Sequence, residues 1–216
     1  MPEHVILLHG LWMRSIALSI LHRRLMEGGF RVHRFDYLSV AATQPRILDQ
    51  LQRRMRELAP VTDRVHLVGH SLGGLIALRA CLDADDLPAG RIVCLGSPLK
   101  GSAAARALAG WGRGGEVLLG GNRALLEQGF ERWDGSRQVG MIAGSRPLGL
   151  GSVLGHFQGE HDGTVAVEET RLPGLTDHCV IETNYTGLLF SHDVARQVTR
   201  FLRYGRFGPG PEGPAG

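Results

Sequence analysis

Lysine is almost missing from this chain. Lys100 is the only lysine among 24 basic residues, so the formal charge of +3 is carried by arginine. Arginine-rich surfaces attract anionic partners such as phospholipid or nucleic acid. Here the arginines are scattered (23–24, 53–54, 56 and 196–206) with no interleaved aromatics, which argues against a nucleic-acid-binding patch. A genome that prefers arginine codons accounts for the bias. Cysteine is also scarce: Cys81, Cys94 and Cys179 form an odd set, lie in apolar runs and include no Cys-x-x-Cys. That favours buried free thiols in a reducing compartment over a disulfide or a thiolate metal site. No apolar run approaches a membrane span, so stable membrane insertion is not expected. Met1-Pro2-Glu3 leads directly into an apolar stretch with no room for a signal peptide, which gives a cytoplasmic address as the expectation.

What the chain has in quantity is glycine, 31 residues, and enough hydrophobic residues (43% of 216) to bury one full core. Strand-like and helix-like segments alternate at βα spacing. His4 to Leu8 is a short apolar strand. Ser15 to Gly28 carries apolar residues at near-helical spacing and stops at Gly28-Gly29. Arg31 to Tyr37 alternates as a strand, and Arg46 to Leu58 places Ile47, Leu51, Met55 and Leu58 on one helical face. A strand at 64–69, a helix to about Ala84 and a strand from Arg91 to Leu95 follow. The fold class is therefore α/β: a doubly wound, mostly parallel sheet of about six strands flanked by helices, with function at the carboxyl ends of the strands.

Residues 101–136 interrupt the rhythm, being rich in small residues, and read as a cap or loop insertion over the strand ends. The rhythm resumes with a strand at Val139 to Ala143, a strand near His178 to Thr183 and a helix from Ser191 to Tyr204. Residues 1–204 form one domain in this reading, and the Gly/Pro-rich 205–216 is a disordered tail.

Val65-His66-Leu67-Val68-Gly69-His70-Ser71-Leu72-Gly73-Gly74 carries the chemistry. An apolar strand runs into Gly-x-Ser-x-Gly and a helical pattern leaves it, the sequence of a nucleophile elbow that exposes Ser71 on a sharp turn. Side chains at 69 and 73 would collide with neighbouring backbone. The helix N-terminus directs amides and positive potential at the site.

Together with Leu7-Leu8-His9-Gly10-Leu11-Trp12, Leu95-Gly96-Ser97-Pro98, Asp162-Gly163-Thr164-Val165 and Gly187-Leu188-Leu189-Phe190-Ser191, the elbow resembles the α/β-hydrolases, in particular the small bacterial lipase/esterase type without a large lid. The resemblance spans about residues 3–204. It implies a serine hydrolase that cleaves carboxylic (acyl) esters through an acyl-enzyme, with no cofactor or metal and a small-molecule acyl ester or lipid as substrate. Thioesterase or acyltransferase chemistry would use the same residues.

The resemblance makes Ser71 the nucleophile, Asp162 the orienting acid, and the amides of Leu11 and Leu72 the oxyanion hole. Trp12 and His70 flank these positions as candidate substrate contacts. His9 reads as a structural histidine that fixes the oxyanion loop, and His161 as loop surface.

The base departs from the family pattern. Such enzymes carry a His-x-Gly-Leu-Leu segment before the last helix; here it reads Tyr185-Thr186-Gly187-Leu188-Leu189, 23 residues beyond Asp162. A phenol with a pKa near 10 is ionised about once in a thousand molecules at pH 7 and is a negligible base. Three readings stay open. Tyr185 marks an impaired or repurposed site that binds an acyl ligand or a partner; His192, at the start of the last helix, replaces the base; or another histidine, His156 or His178, does so.

Overall fold

A computed structural model describes residues 2–82, 84, 86–148 and 159–208. Six strands form one sheet: β1 His4–Leu8, β2 Arg31–Phe35, β3 Val65–His70, β4 Ile92–Leu95, β5 Val139–Gly144 and β6 Asp177–Ile181. Their spatial order is β2-β1-β3-β4-β5-β6, and every pairing is parallel. Strands β1, β3, β4 and β5 are buried along their whole length, which explains their near-continuous apolar sequences: a parallel sheet is covered on both faces. The edge strand β2 instead exposes Arg31 and Arg34, charges that discourage pairing with another chain.

The helices are α1 Ser19–Glu27, α2 Gln44–Leu58, α3 Leu72–Leu82, α4 Ala103–Ala109, α5 Arg113–Leu119, α6 Arg123–Gln128, α7 Val167–Thr170 and α8 His192–Tyr204. Two apolar clusters lie on opposite faces of the sheet. One joins Ile47, Leu51 and Met55 of α2 and Leu75 and Leu78 of α3 to Ile6 and Leu67. The other joins Leu21 and Leu25 of α1 and Val198 and Phe201 of α8 to Val5 and Val93. Helix α3 is apolar almost all round because it lies between the sheet and a second helical layer. Ser191 caps α8 by accepting from the Val194 amide at 3.3 Å, and Gly205 ends the helix in the left-handed conformation.

The chain starts in β1, steps outward to β2, and then returns past β1 to β3. That reversal opens a crevice at the carboxyl ends of β1 and β3, where this class of sheet places its ligands. Both the loop Leu11–Met13 and Ser71 lie there.

Several local expectations shift. The segment starting at Ser15 opens with a 3₁₀ turn, Ser15–Leu18, before α1. Strand β2 stops at Phe35, because Tyr37 turns inward to stack on His9 with ring centroids 4.2 Å apart. The 101–136 insertion contains three short helices, α4 to α6. Residues 205–208 continue the packed structure: Phe207 is buried beside Phe201, and its amide donates to Asp177 Oδ2 at 2.7 Å. Residues 209–216 and His156 lie outside the described residues.

Candidate active site

Ser71 sits between the end of β3 and the first residue of α3 with φ 54°. Among the described residues only Ser71 and Trp12 combine a side chain with positive φ, and both border the same pocket. Such backbone strain persists only where the surroundings over-determine it. The surroundings here are glycines. A Cβ on Gly69 would stand 2.3 Å from the Gly73 carbonyl carbon, and one on Gly73 would stand 2.5 Å from the Leu8 oxygen. A third glycine works in the same way: a Cβ on Gly74 would meet Ser97 Oγ at 2.1 Å, which gives Ser97 a packing role that the sequence motif alone did not reveal.

The pocket beside Ser71 has a volume of about 380 Å³. Leu11, Trp12 and Met13 form one side, Leu108, Leu119 and Leu126 of the insertion form the roof, and Val165 and Tyr185 close the far side. The insertion and the residue before it are tied to α7: the Ala103 amide donates to Glu169 Oε1 at 2.6 Å, and Lys100 pairs with Glu168 at 2.9 Å. The Trp12 indole N–H donates to the Leu118 carbonyl at 2.9 Å and so closes the rim. Neither the Leu11 nor the Leu72 amide finds an acceptor among the described residues.

Asp162 is 1% exposed, in a turn closed by amides of Thr164 and Val165 that donate to its Oδ1 at 2.9 and 2.8 Å. Burial pushes its carboxyl up to about 7, outweighing those two hydrogen bonds. The Tyr185 amide donates to the Asp162 carbonyl at 2.9 Å. Gly96, at φ 49°, lets the carboxyl and the ring approach: a Cβ there would stand 3.1 Å from Asp162 Oδ2 and 3.7 Å from Tyr185 Cδ2.

The Tyr185 phenol lies in the same pocket as Ser71, and burial drives it well above the ordinary phenol range. Ser71, Asp162 and Tyr185 are therefore brought together, with a chemical mismatch. An imidazole presents a nitrogen to each neighbour, whereas a tyrosine has one polar atom at its tip. Among the described residues the Asp162 carboxyl takes its hydrogen bonds from the Thr164 and Val165 amides and none from the Tyr185 phenol.

The histidines divide clearly. His70 lines the pocket; its Nε2 lies 3.2 Å from the Tyr185 carbonyl, an acceptor, so Nε2 carries the proton. Nδ1 is buried without a partner among the described residues, and desolvation lowers the ring to about 4. His9 is fully buried and donates from Nδ1 to the Gly10 carbonyl at 2.9 Å, while Nε2 accepts from the Tyr37 amide at 3.4 Å. It thus holds the loop preceding Leu11. His161 Nδ1 accepts from the Gly163 amide. His178, on β6, meets Thr170 Oγ1 at 2.8 Å. His192 is exposed at the start of α8 and is not among the residues lining the pocket, so the fold does not bring it to Ser71. The reason is the direction of α8: its buried face is Val194, Ala195, Val198, Phe201 and Leu202, which turns His192 to solvent. Among the described residues no group of three or more His, Cys, Asp or Glu side chains is arranged to hold a metal ion.

Residues 5–204 match the family model described as "Alpha/beta hydrolase family". The chain belongs to the α/β-hydrolase family. Among solved structures it is similar to the mature lipase BlEst2 of Bacillus licheniformis, with TM-score 0.75 and 19% identity, covering 94% of this chain and 91% of that one. It is also similar to a bromoperoxidase from Bacillus anthracis, with TM-score 0.68 and 13% identity over 94% and 92% of the two chains. A metagenomic carboxyl esterase, MGS0156, aligns with TM-score 0.63 and 15% identity over 85% and 64%. No curated protein matches the sequence. At these identities the structural likeness speaks for the fold. No helix among the described residues is long and apolar enough to cross a membrane.

Proposed function

We propose that this α/β-hydrolase is a serine-type carboxylic ester hydrolase for acyl chains of modest length, with turnover slowed because Tyr185 occupies the position of the base. The observation that carries the reading is the strained Ser71 at the mouth of an apolar pocket. Support also comes from the amides of Leu11 and Leu72, which find no acceptor among the described residues.

In this reading Ser71 Oγ attacks the ester carbonyl and the oxygen that gains charge is taken by the two amides. The ester C–O bond breaks and the alcohol leaves with the proton lost by Ser71; water then attacks the acyl-enzyme, releasing the acid and returning a proton to Ser71. Losing one donor from such a hole elsewhere costs about 3 kcal/mol. The weak step is removal of the Ser71 proton, because a neutral phenol cannot accept it. Loss of a triad histidine elsewhere costs roughly 10⁴ to 10⁶-fold in rate, leaving a residual 10³ to 10⁴ over water from binding and the oxyanion hole.

A second reading, an acyl-binding protein without turnover, is favoured by the pKa of the Tyr185 phenol, which burial raises further. Turnover of p-nitrophenyl esters by wild type, Ser71→Ala, His192→Ala and Tyr185→His separates the two. Activity above Ser71→Ala in the wild type supports slow hydrolysis; wild type equal to Ser71→Ala, with a gain only in Tyr185→His, supports binding alone. His192→Ala is expected to match wild type.

A further inference from the structure

The end of the sheet opposite Ser71 carries a second cavity, of about 390 Å³. It lies where β3, β4 and β5 begin: Arg64 precedes β3, Arg91 precedes β4, Gln138 precedes β5, and His66 and Arg137 also border it. The six residues of β3 set it about 20 Å from Ser71. Arginines that are scattered in the sequence are thus gathered at one place, and none of the described residues bordering the cavity is acidic. Two of the three guanidiniums are fixed by neutral oxygens. Arg91 donates from Nε to Gln138 Oε1 at 2.6 Å and from Nη1 to the Leu202 carbonyl at 2.7 Å. Arg137 donates from Nη1 to the Val65 carbonyl at 3.1 Å and from Nη2 to the Pro88 carbonyl. Such contacts hold a cation in place without neutralising it. Arg91 Nη2 and Arg137 Nε meet no acceptor among the described residues. Arg64 pairs with Glu3, Nη1 to Oε1 at 3.3 Å. His66 is fully buried and accepts the Arg91 amide on Nδ1 at 2.9 Å, so its proton sits on Nε2. That nitrogen lies 3.4 Å from Glu3 Oε2 and has no hydrogen-bond partner among the described residues. One carboxylate therefore stands against three arginines. Burial, and then the Arg64 charge, oppose the charged form of Arg91, with Glu3 offsetting them only in part. A guanidinium does not shed its proton, so the fold carries the repulsion.

We propose that this cavity binds a phosphate dianion, free or as the phosphate of a small monoester, on the guanidiniums of Arg64, Arg91 and Arg137. Three arginines less Glu3 leave two positive charges, which a dianion neutralises. The planar fork of a guanidinium matches the spacing of phosphate oxygens. Because Arg91 and Arg137 are held by the backbone before any ligand arrives, binding costs little side-chain freedom. The cavity is larger than one phosphate, and the room beside Ser136 and Gln138 accommodates an organic group. The site is independent of Ser71 and of ester hydrolysis.

Calorimetry and thermal melts of the full chain with inorganic phosphate, glycerol 3-phosphate or glycerol test this, at an ionic strength held constant with sodium chloride. Both phosphates are expected to bind saturably and to raise Tm, and glycerol to do neither. Tighter binding of glycerol 3-phosphate identifies a monoester as the ligand, and equal affinities identify the free ion; either supports the site. Arg64→Ala removes a guanidinium whose ion pair is with Glu3 and should weaken both phosphates by about tenfold. Ser136→Glu adds a carboxylate at the exposed rim, leaves every arginine contact in place, and should abolish binding. In NMR spectra the shifts caused by phosphate should centre on the Arg91 and Arg137 side-chain N–H groups. Absence of saturable binding, a Tm rise matched by chloride at the same ionic strength, or binding unchanged in Ser136→Glu would overturn the proposal. Shifts centred on the Leu11 and Leu72 amides would place the anion beside Ser71 and overturn it as well.

Discussion

Asp162→Asn is expected to stabilise this protein, and to do so only above the acid range. In the folded chain burial lifts the Asp162 carboxyl from 3.8 to about 7. At low pH the group is protonated in both folded and unfolded chains, so its ionisation costs nothing. Between 3.8 and about 7 the unfolded chain releases its proton while the folded chain holds it, and stability falls as pH rises. Above that range both are ionised and the full cost is present, about 4 kcal/mol for an interval of this size. Asparagine keeps an oxygen for the Thr164 and Val165 amides and carries no charge. The stability difference between variant and wild type should therefore grow by about 4 kcal/mol from pH 4 to pH 8. For a chain of this length that is on the order of 10 °C in Tm. Thermal melts of both proteins across that range measure it. A pH-independent difference, or a variant that loses ground as pH rises, would show that Asp162 is held ionised and refute the reasoning. In a Tyr185→His background the imidazole supplies the missing donor, and the growth should shrink toward zero.

Three further outcomes follow from the same geometry. Gly69→Ala should cost at least about 3 kcal/mol in urea unfolding, because its Cβ would lie 2.3 Å from the Gly73 carbonyl carbon and backbone must move; a neutral substitution would contradict the elbow packing. Gly96→Ala combines φ 49° with a Cβ 2.7 Å from Leu188 Cδ1 and 3.1 Å from Asp162 Oδ2, and should destabilise by about 1–3 kcal/mol in the same assay. His9→Ala removes the bond to the Gly10 carbonyl and the stack on Tyr37; a loss of about 2 kcal/mol in denaturant is expected, together with weaker labelling of Ser71 by a fluorophosphonate.

How much of this was legible in the sequence follows from the range of the interactions involved. The elbow, the parallel strands and the helical face Ile47, Leu51, Met55 and Leu58 are local patterns, and all appear within a residue or two of where periodicity put them. The meeting of Ser71, Asp162 and Tyr185 was legible through motif order. The relation of Asp162 to Tyr185 was only half legible: a tyrosine where the resemblance has a histidine could be read, but the burial of the carboxyl needs three dimensions. Gly74 packing on Ser97, Gly96 between Asp162 and Tyr185, and the roof supplied by Leu108, Leu119 and Leu126 are contacts across distant segments, with no local signature beyond glycine and leucine themselves. His192 was plausible by proximity in sequence, and the face of α8 that packs on the core decided against it.

The central claim is that Ser71 is poised and lacks only a base. The turnover of a p-nitrophenyl ester by Tyr185→His, set against wild type and against the double variant Tyr185→His/Ser71→Ala, tests it most directly. A gain of several orders of magnitude over wild type, abolished in the double variant, is the predicted result. No gain in a folded Tyr185→His protein would contradict the account.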